Sequence, residues 1–458
     1  MTFIGLIFIV LYLLIFTKSF VNISRGSFEF LLYYICLALP FYATLQAQVF
    51  EIFNNELLVN MIKLSKDLIF FYALLIFLFG KKESIFNRTF TFSKLDKLFL
   101  SFVILIILYT IIPLGEADLI SKIIYAKNIL IIPLVYFIGR NLEFSDKVYM
   151  NLKKIFLGVI ITSSVFIFFE FIFSTHFHSF INYSNYNSIV NEIDPQGNYG
   201  LSWSFESQGA KPRYAAFFAD PLELSASLLF LFSFIIFFFY KRVNLSNVLP
   251  SILIVFLLLM SFSRGAIVAC FGIVLFSLLI NQKYRILFAI FFISVILSLL
   301  TYFLGGEDLQ YLIIDTLKFE NTSSLGHLIE WIEGILSILE NPLGIGLAMS
   351  GNAGGVDQSL KVGGENQFLI FGVQMGITAI IIYSVILLTV IIRSLKLYVD
   401  TKDLKHKHIS FIVACTKFGL ILPLLTANAE LYLFVSLVSW LLAGYVEKTY
   451  LKQQLEKN

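Results

Sequence analysis

The sequence is a succession of long apolar runs joined by short basic connections, and that pattern leaves few ways to fold. A run of about 17 to 25 apolar residues crosses a hydrocarbon layer as a helix, because a helix satisfies its own backbone polar groups where no water is available. Such runs stand at 3–17, 28–46, 64–80, 98–114, 121–139, 154–173, 221–240, 246–262, 265–281, 286–304, 365–392, 409–426 and 430–446. They show no strand-like alternation. The expected fold is an all-α, polytopic transmembrane helix bundle of about 13 spans. Composition agrees, since only 14% of the 458 residues are charged against about 25% in a soluble domain. A net charge of +3 is too small to suggest a nucleic-acid partner. Cys36, Cys270 and Cys415 lie inside apolar runs, as small hydrophobes rather than a disulfide or metal framework.

Lysine and arginine are retained on the cytoplasmic side of short loops. The basic connections are Lys81, Lys82, Arg88, Lys94 and Lys97; Arg140, Lys147, Lys153 and Lys154; Lys241 and Arg242; Lys283 and Arg285; and Arg393, Lys396, Lys402, Lys405 and Lys407. They fall on alternate connections. Lys18, which follows the first run, makes that run a retained span rather than a cleaved signal peptide. The C-terminus is then cytoplasmic and the N-terminus outside. Within a single integral membrane domain over 1–458, two long extracytoplasmic segments remain, 174–220 and 305–364. The first mixes Phe177, Phe180, Tyr183, Tyr186, Tyr199, Trp203 and Phe205 with Asn, Ser and Gln. That suits either stacking on sugar rings or an interfacial aromatic belt. The second has apolar residues at helical spacing near 325–340, the pattern of an amphipathic helix on the membrane face or over a cavity.

Several polar groups need a reason to be where they are. Arg264 sits in the Ser261-Phe262-Ser263-Arg264-Gly265 turn between two apolar runs, where it either faces an anion or snorkels to the headgroups. Arg213 follows Lys211 and Pro212 and precedes Asp220-Pro221, which has the form of an N-cap with Pro at the first helical position. A helix starting there points its positive end at Arg213, making an anion site or an ordinary cap beside interfacial cations. Glu365 and Asn366 stand at the mouth of the next span. Apolar surroundings suit Glu365 to act as a general base, and an acid at a helix start is also plain dipole chemistry. Lys127 and Lys417 are buried by sequence, each suited to an ion pair with a carboxylate such as Glu170 or with lipid phosphate. His176, His178, His406 and His408 have no metal-ligand spacing, and no metal or other cofactor is assigned.

The Ser-Phe-Ser-Arg-Gly turn, the segment from Arg213 to Leu222, the Asn341-Pro342-Leu343-Gly344-Ile345-Gly346 run and Glu365-Asn366-Gln367-Phe368-Leu369 before Gly376-Ile377 resemble the O-antigen polymerase and O-antigen ligase-like superfamily of bacterial envelope glycosyltransferases. The resemblance implies a metal-independent enzyme of the bacterial cytoplasmic (inner) membrane that acts at the outer face on undecaprenyl-pyrophosphate-linked oligosaccharides. Arg213 and Arg264 would hold the pyrophosphate and Glu365 would act as base. Asn366, His327, Lys211, Trp203 and Tyr214 would contact substrate. Membrane lipids, a chain-length regulator and a flippase are the implied partners. Relatives in the ligase branch carry His where this chain has Glu365, which favours the polymerase branch. The alternatives are a ligase passing glycan to lipid A core and a transporter of the lipid-linked glycan.

Overall fold

All 13 apolar runs fall on helices in the computed structural model, which describes residues 2–86, 92–191, 195–207, 211–240, 244–306, 310, 314, 322–351 and 360–457. Arg88, Lys241 and Arg242 of the basic connections lie outside the described residues, as do parts of both long loops. The helices are α1 Thr2–Ser24, α2 Glu29–Ala38, α3 Tyr42–Phe53, α4 Glu56–Phe86, α5 Lys94–Ile111, α6 Leu119–Gly139 and α7 Asp146–Phe173. Within the first loop come α8 Phe177–Phe180 and α9 Tyr183–Val190, then α10 Pro221–Phe239, α11 Leu245–Met260, α12 Arg264–Ile280 and α13 Tyr284–Leu304. The rest are α14 Thr322–Glu340, α15 Gln367–Asp400, α16 Leu404–Gly419, α17 Ile421–Thr426 and α18 Leu433–Lys457. A two-stranded hairpin, β1 Glu206–Ser207 against β2 Lys211–Pro212, is the sheet seen among the described residues.

Length and apolarity qualify eight of the described helical segments as membrane spans, against the 13 expected. Two of the runs that do not qualify fall short by length. The α11–α12 hairpin is built from helices of 16 and 17 residues. Those rise about 24–26 Å at roughly 1.5 Å per residue, short of a core of about 30 Å. The chain is a multi-pass membrane protein, and α13, with no fully buried residue, packs on α12 and is otherwise largely exposed.

The centre is formed by α18, which packs against α6, α15, α16, α10 and α2. Its crossing with α6 is backbone on backbone: a Cβ on Gly139 would lie 2.1 Å from the Leu441 carbonyl oxygen, and one on Gly444 2.1 Å from that of Tyr136. Small residues let helices approach this closely in a bilayer, where packing rather than water drives association. Gly139→Val should therefore force the helices apart and cost roughly 1–3 kcal/mol. A lower melting temperature in detergent checks this, with Gly158→Ala, whose added Cβ meets nothing within 4 Å, unchanged.

At the end of the bundle away from the long loops, buried Asp96 caps α5 together with Ser93, accepts from Tyr136 Oη at 2.7 Å and pairs with Arg140. Arg393 pairs with buried Glu447 nearby, at 3.2 Å. These acids and bases belong to four helices and clamp their ends together. Glu170 is not the partner of Lys127 or Lys417. Its carboxylate accepts the backbone N–H groups of Phe177 and Ala216 at 2.8 and 3.1 Å, tying α7 to the first loop. Lys127 pairs instead with Asp67. Lys417 stacks over Trp440 with its ammonium 3.3 Å from the ring centroid, in the field of Glu430.

Candidate functional site

The first half of the site is the α11–α12 turn and the strand that crosses it. Phe262 adopts a left-handed conformation (φ 49°), and Ser263 caps α12 by accepting from Ala266 N, so Arg264 becomes the first residue of a helix whose N–H groups face the turn. Arg213 is latched to the same turn. Its Nε donates to the Ser261 carbonyl at 3.0 Å, and Tyr214 N donates to that of Met260 at 3.1 Å. Both carbonyls end α11 and need external donors. Burial pushes the Arg213 guanidinium down, Asp220 and Tyr432 oppose this, and the like charge of Arg264 adds to it. The two cations thus lie in each other's field, an arrangement relieved by a bound anion.

Asp220 is the expected cap: its carboxylate accepts from Leu222 N and Glu223 N, each at 2.7 Å, with Pro221 in the first turn. Glu223, one turn on, accepts from Ala219 N at 3.4 Å, and the last helix, α18, packs against α10. The residue before α18 is Tyr432, whose phenol lies in the field of Asp220, Glu223, Arg213 and Glu365. Sequence reasoning missed it, because nothing in its local spacing marks it.

The second half of the site joins α14 to the start of α15. The Glu365 carboxylate pairs with Nδ1 of His327. Glu330, on the next turn of α14, lies beside Gly364, and burial followed by the charges of Glu365 and Glu333 raises its carboxyl. Asn366 is the N-cap of α15, its side-chain oxygen accepting from Phe368 N and Leu369 N at 3.0 and 3.3 Å. That oxygen is committed to the helix start. Gln367 holds the same end by accepting from Glu430 N. The amphipathic helix expected near 325–340 appears as α14. It turns Gly334 and Ile338 toward α15, while Leu325, Ile329, Ile332, Leu336 and Leu339 stay exposed.

The Asn-Pro-Leu-Gly-Ile-Gly run repairs a broken helix. At Gly376 the backbone leaves helical geometry (φ 78°, ψ 178°), and the run docks there, with Ile345 N on Val373 O at 2.8 Å, Gly346 N on Gln374 O at 3.1 Å and Ile377 N on Pro342 O at 3.0 Å. A Cβ on Gly376 would lie 2.5 Å from the Pro342 carbonyl oxygen, and one on Gly344 2.6 Å from Gly376 N. Gln374, fully buried, binds Tyr125, Ala348 and Ser350 and fixes the following segment. The run therefore braces the break in α15 by backbone hydrogen bonding. The glycine-rich residues 352–359 beyond it lie outside the described residues.

The first loop packs partly on itself and partly on α3. Phe205, Tyr183 and Tyr186 are buried with His176 and His178, so these rings form a small core rather than a stacking surface for sugars. Tyr214 is buried too, its ring 5.3 Å from His176. Trp203 is 59% exposed and Lys211, on β2, is exposed, so both are available to a ligand. Burial pushes His176 down to about 4 and His178 down to about 3, from an ordinary 6.5. Both are neutral in the docked loop. Between about pH 6.5 and 4 the undocked loop binds more protons, so docking stability present above 6.5 is lost as pH falls. Protease cleavage within 174–220 should be about tenfold or more faster at pH 4.5 than at 7.5.

No curated protein matches the chain. Residues 249–384, under a third of the sequence, carry Arg264, His327, the 341–346 run, Glu365 and Asn366, and this stretch matches the family described as O-antigen ligase.

Proposed function

We propose that the chain is a glycosyltransferase that joins lipid-linked oligosaccharide repeat units at the outer face of the cytoplasmic membrane, the polymerase reaction of O-antigen, capsule or exopolysaccharide synthesis. The observation that carries this reading is the latch of Arg213 onto the turn that presents Arg264, together with the His327–Glu365 pair, with Tyr432 in the field of both Arg213 and Glu365. The acceptor hydroxyl oxygen attacks the anomeric carbon of the donor, and the bond from that carbon to the diphosphate oxygen breaks. Charge develops on the departing diphosphate, where two guanidiniums and the N-terminus of α12 stabilise it. The acceptor proton passes to the imidazole Nε2 of His327, while Glu365 holds Nδ1 and stabilises the imidazolium. Glu365 thus acts through His327 rather than as a base alone. Membrane anchoring keeps both prenyl tails in lipid while their sugars meet above the bundle.

The description of the matching family favours a second reading, transfer of finished glycan to lipid A core. The lipopolysaccharide of a strain lacking the protein separates the two. A polymerase defect leaves core carrying a single repeat unit, whereas a ligase defect leaves long polymer on the carrier lipid.

A further inference from the structure

Three lysines lie together on the seam between α4 and α6. Lys63 and Lys66 are one helical turn apart on α4, and Lys127 comes from α6. Asp67 is shared between two of them, 3.7 Å from the Lys66 ammonium and also paired with that of Lys127. The Lys66 ammonium stands 5.4 Å from the centroid of the Tyr42 ring, and Lys63 lies in the field of both Lys127 and Glu56. Lys63 donates to Asn191 Oδ1 at 3.2 Å, which places the cluster under the first loop, the segment that leads on to Arg213. Lysines within or near spans normally balance a carboxylate or face a functional anion. Here three cations are grouped around one paired carboxylate, Asp67, which contacts two of them. The flanks of the seam are apolar and open: Leu57, Met61, Leu64 and Leu68 of α4 and Ile120, Ile123 and Ile124 of α6 are all exposed. A ligand matching both features has a phosphate head and a long hydrocarbon tail, and arrives through the bilayer. Compact, strongly hydrated ammoniums suit phosphate as point charges.

Elongation by the proposed reaction brings two lipid-linked glycans to one protein, each with its own diphosphate, and the arginine pair accounts for one. We propose that the Lys63–Lys66–Lys127 cluster binds the diphosphate of the second lipid-linked glycan, an inference that rests on the polymerase reading. The cluster holds the head of the chain that is not being cleaved, under the same loop as the arginine site.

The test counts bound undecaprenyl diphosphate by native mass spectrometry on the full chain in phosphatidylcholine nanodiscs. The wild-type chain should hold two molecules. Lys63→Gln with Lys66→Gln should hold one, the lost site weakened about tenfold or more for each ammonium removed. Lys127→Gln with Asp67→Asn, which removes the pair without stranding a charge, should also weaken that site. Arg213→Ala with Arg264→Ala should lose the other molecule and keep this one. If the lysine variants still bind two, the proposal is overturned. It is also overturned if phosphatidylglycerol displaces the lysine-dependent molecule at equal concentration, because the cluster would then be a general headgroup site. If the arginine variant keeps both molecules while the lysine variant loses one, the reading of the arginines fails and the lysine site stands.

Discussion

Arg264→Ala lowers the rate of chain elongation by about 10²–10³-fold in a protein that inserts and folds as wild type does. That size is what the loss of one preorganised donor to a developing oxyanion costs in a water-poor site. Two features make the arginine separable from the fold. Its side chain is exposed, and α12 is capped by Ser263 rather than by Arg264. Arg264→Lys should recover part of the rate, since a lysine keeps the charge but loses the planar fork that binds two phosphate oxygens at once. Arg213→Ala should be as damaging for activity and worse for stability, because Nε of Arg213 also satisfies the Ser261 carbonyl at the end of α11. Band ladders of polymer, normalised to membrane-inserted protein, measure both.

The second large effect belongs to the carboxylate–imidazole pair. His327→Gln should cost about 10²–10⁴-fold in transfer, the usual contribution of a positioned base. Glu365→Gln should cost nearly as much, because the imidazole loses the carboxylate that orients it and stabilises its charged form. The double variant should be scarcely slower than His327→Gln alone, since groups that act as one unit are not additive. If the two losses instead multiply, each residue acts separately and Glu365 is not working through His327. Initial transfer rates with purified protein and lipid-linked repeats supply all four corners of the cycle.

Much of the architecture could be read from local signals. Apolar run length located the helices, and the Asp220-Pro221 pair gave the start of α10 together with its cap. The turn at Ser261–Gly265 was legible for the same reason, as a short polar break between two apolar runs. What stayed hidden is contact between distant segments. Asp67 and Lys127 are 60 residues apart, and no periodicity links a lysine on α6 to an acid on α4. Tyr432 is brought in from the far end of the chain because α18 packs against α10. The role of the 341–346 run was hidden differently. Its glycines permit backbone approach to the break at Gly376, which depends on where α15 lies. The first-loop aromatics were ambiguous by composition, and only packing distinguishes buried Tyr183, Tyr186 and Phe205 from exposed Trp203.

The account depends on charge stabilisation at a departing diphosphate, and reconstitution tests that most directly. Purified protein in liposomes, supplied with lipid-linked repeat units, should build a polymer ladder and release undecaprenyl diphosphate. Arg213→Ala with Arg264→Ala, reconstituted in equal amount, should yield neither. A ladder of wild-type length from that double variant would contradict the account, since transfer would then proceed without the two guanidiniums.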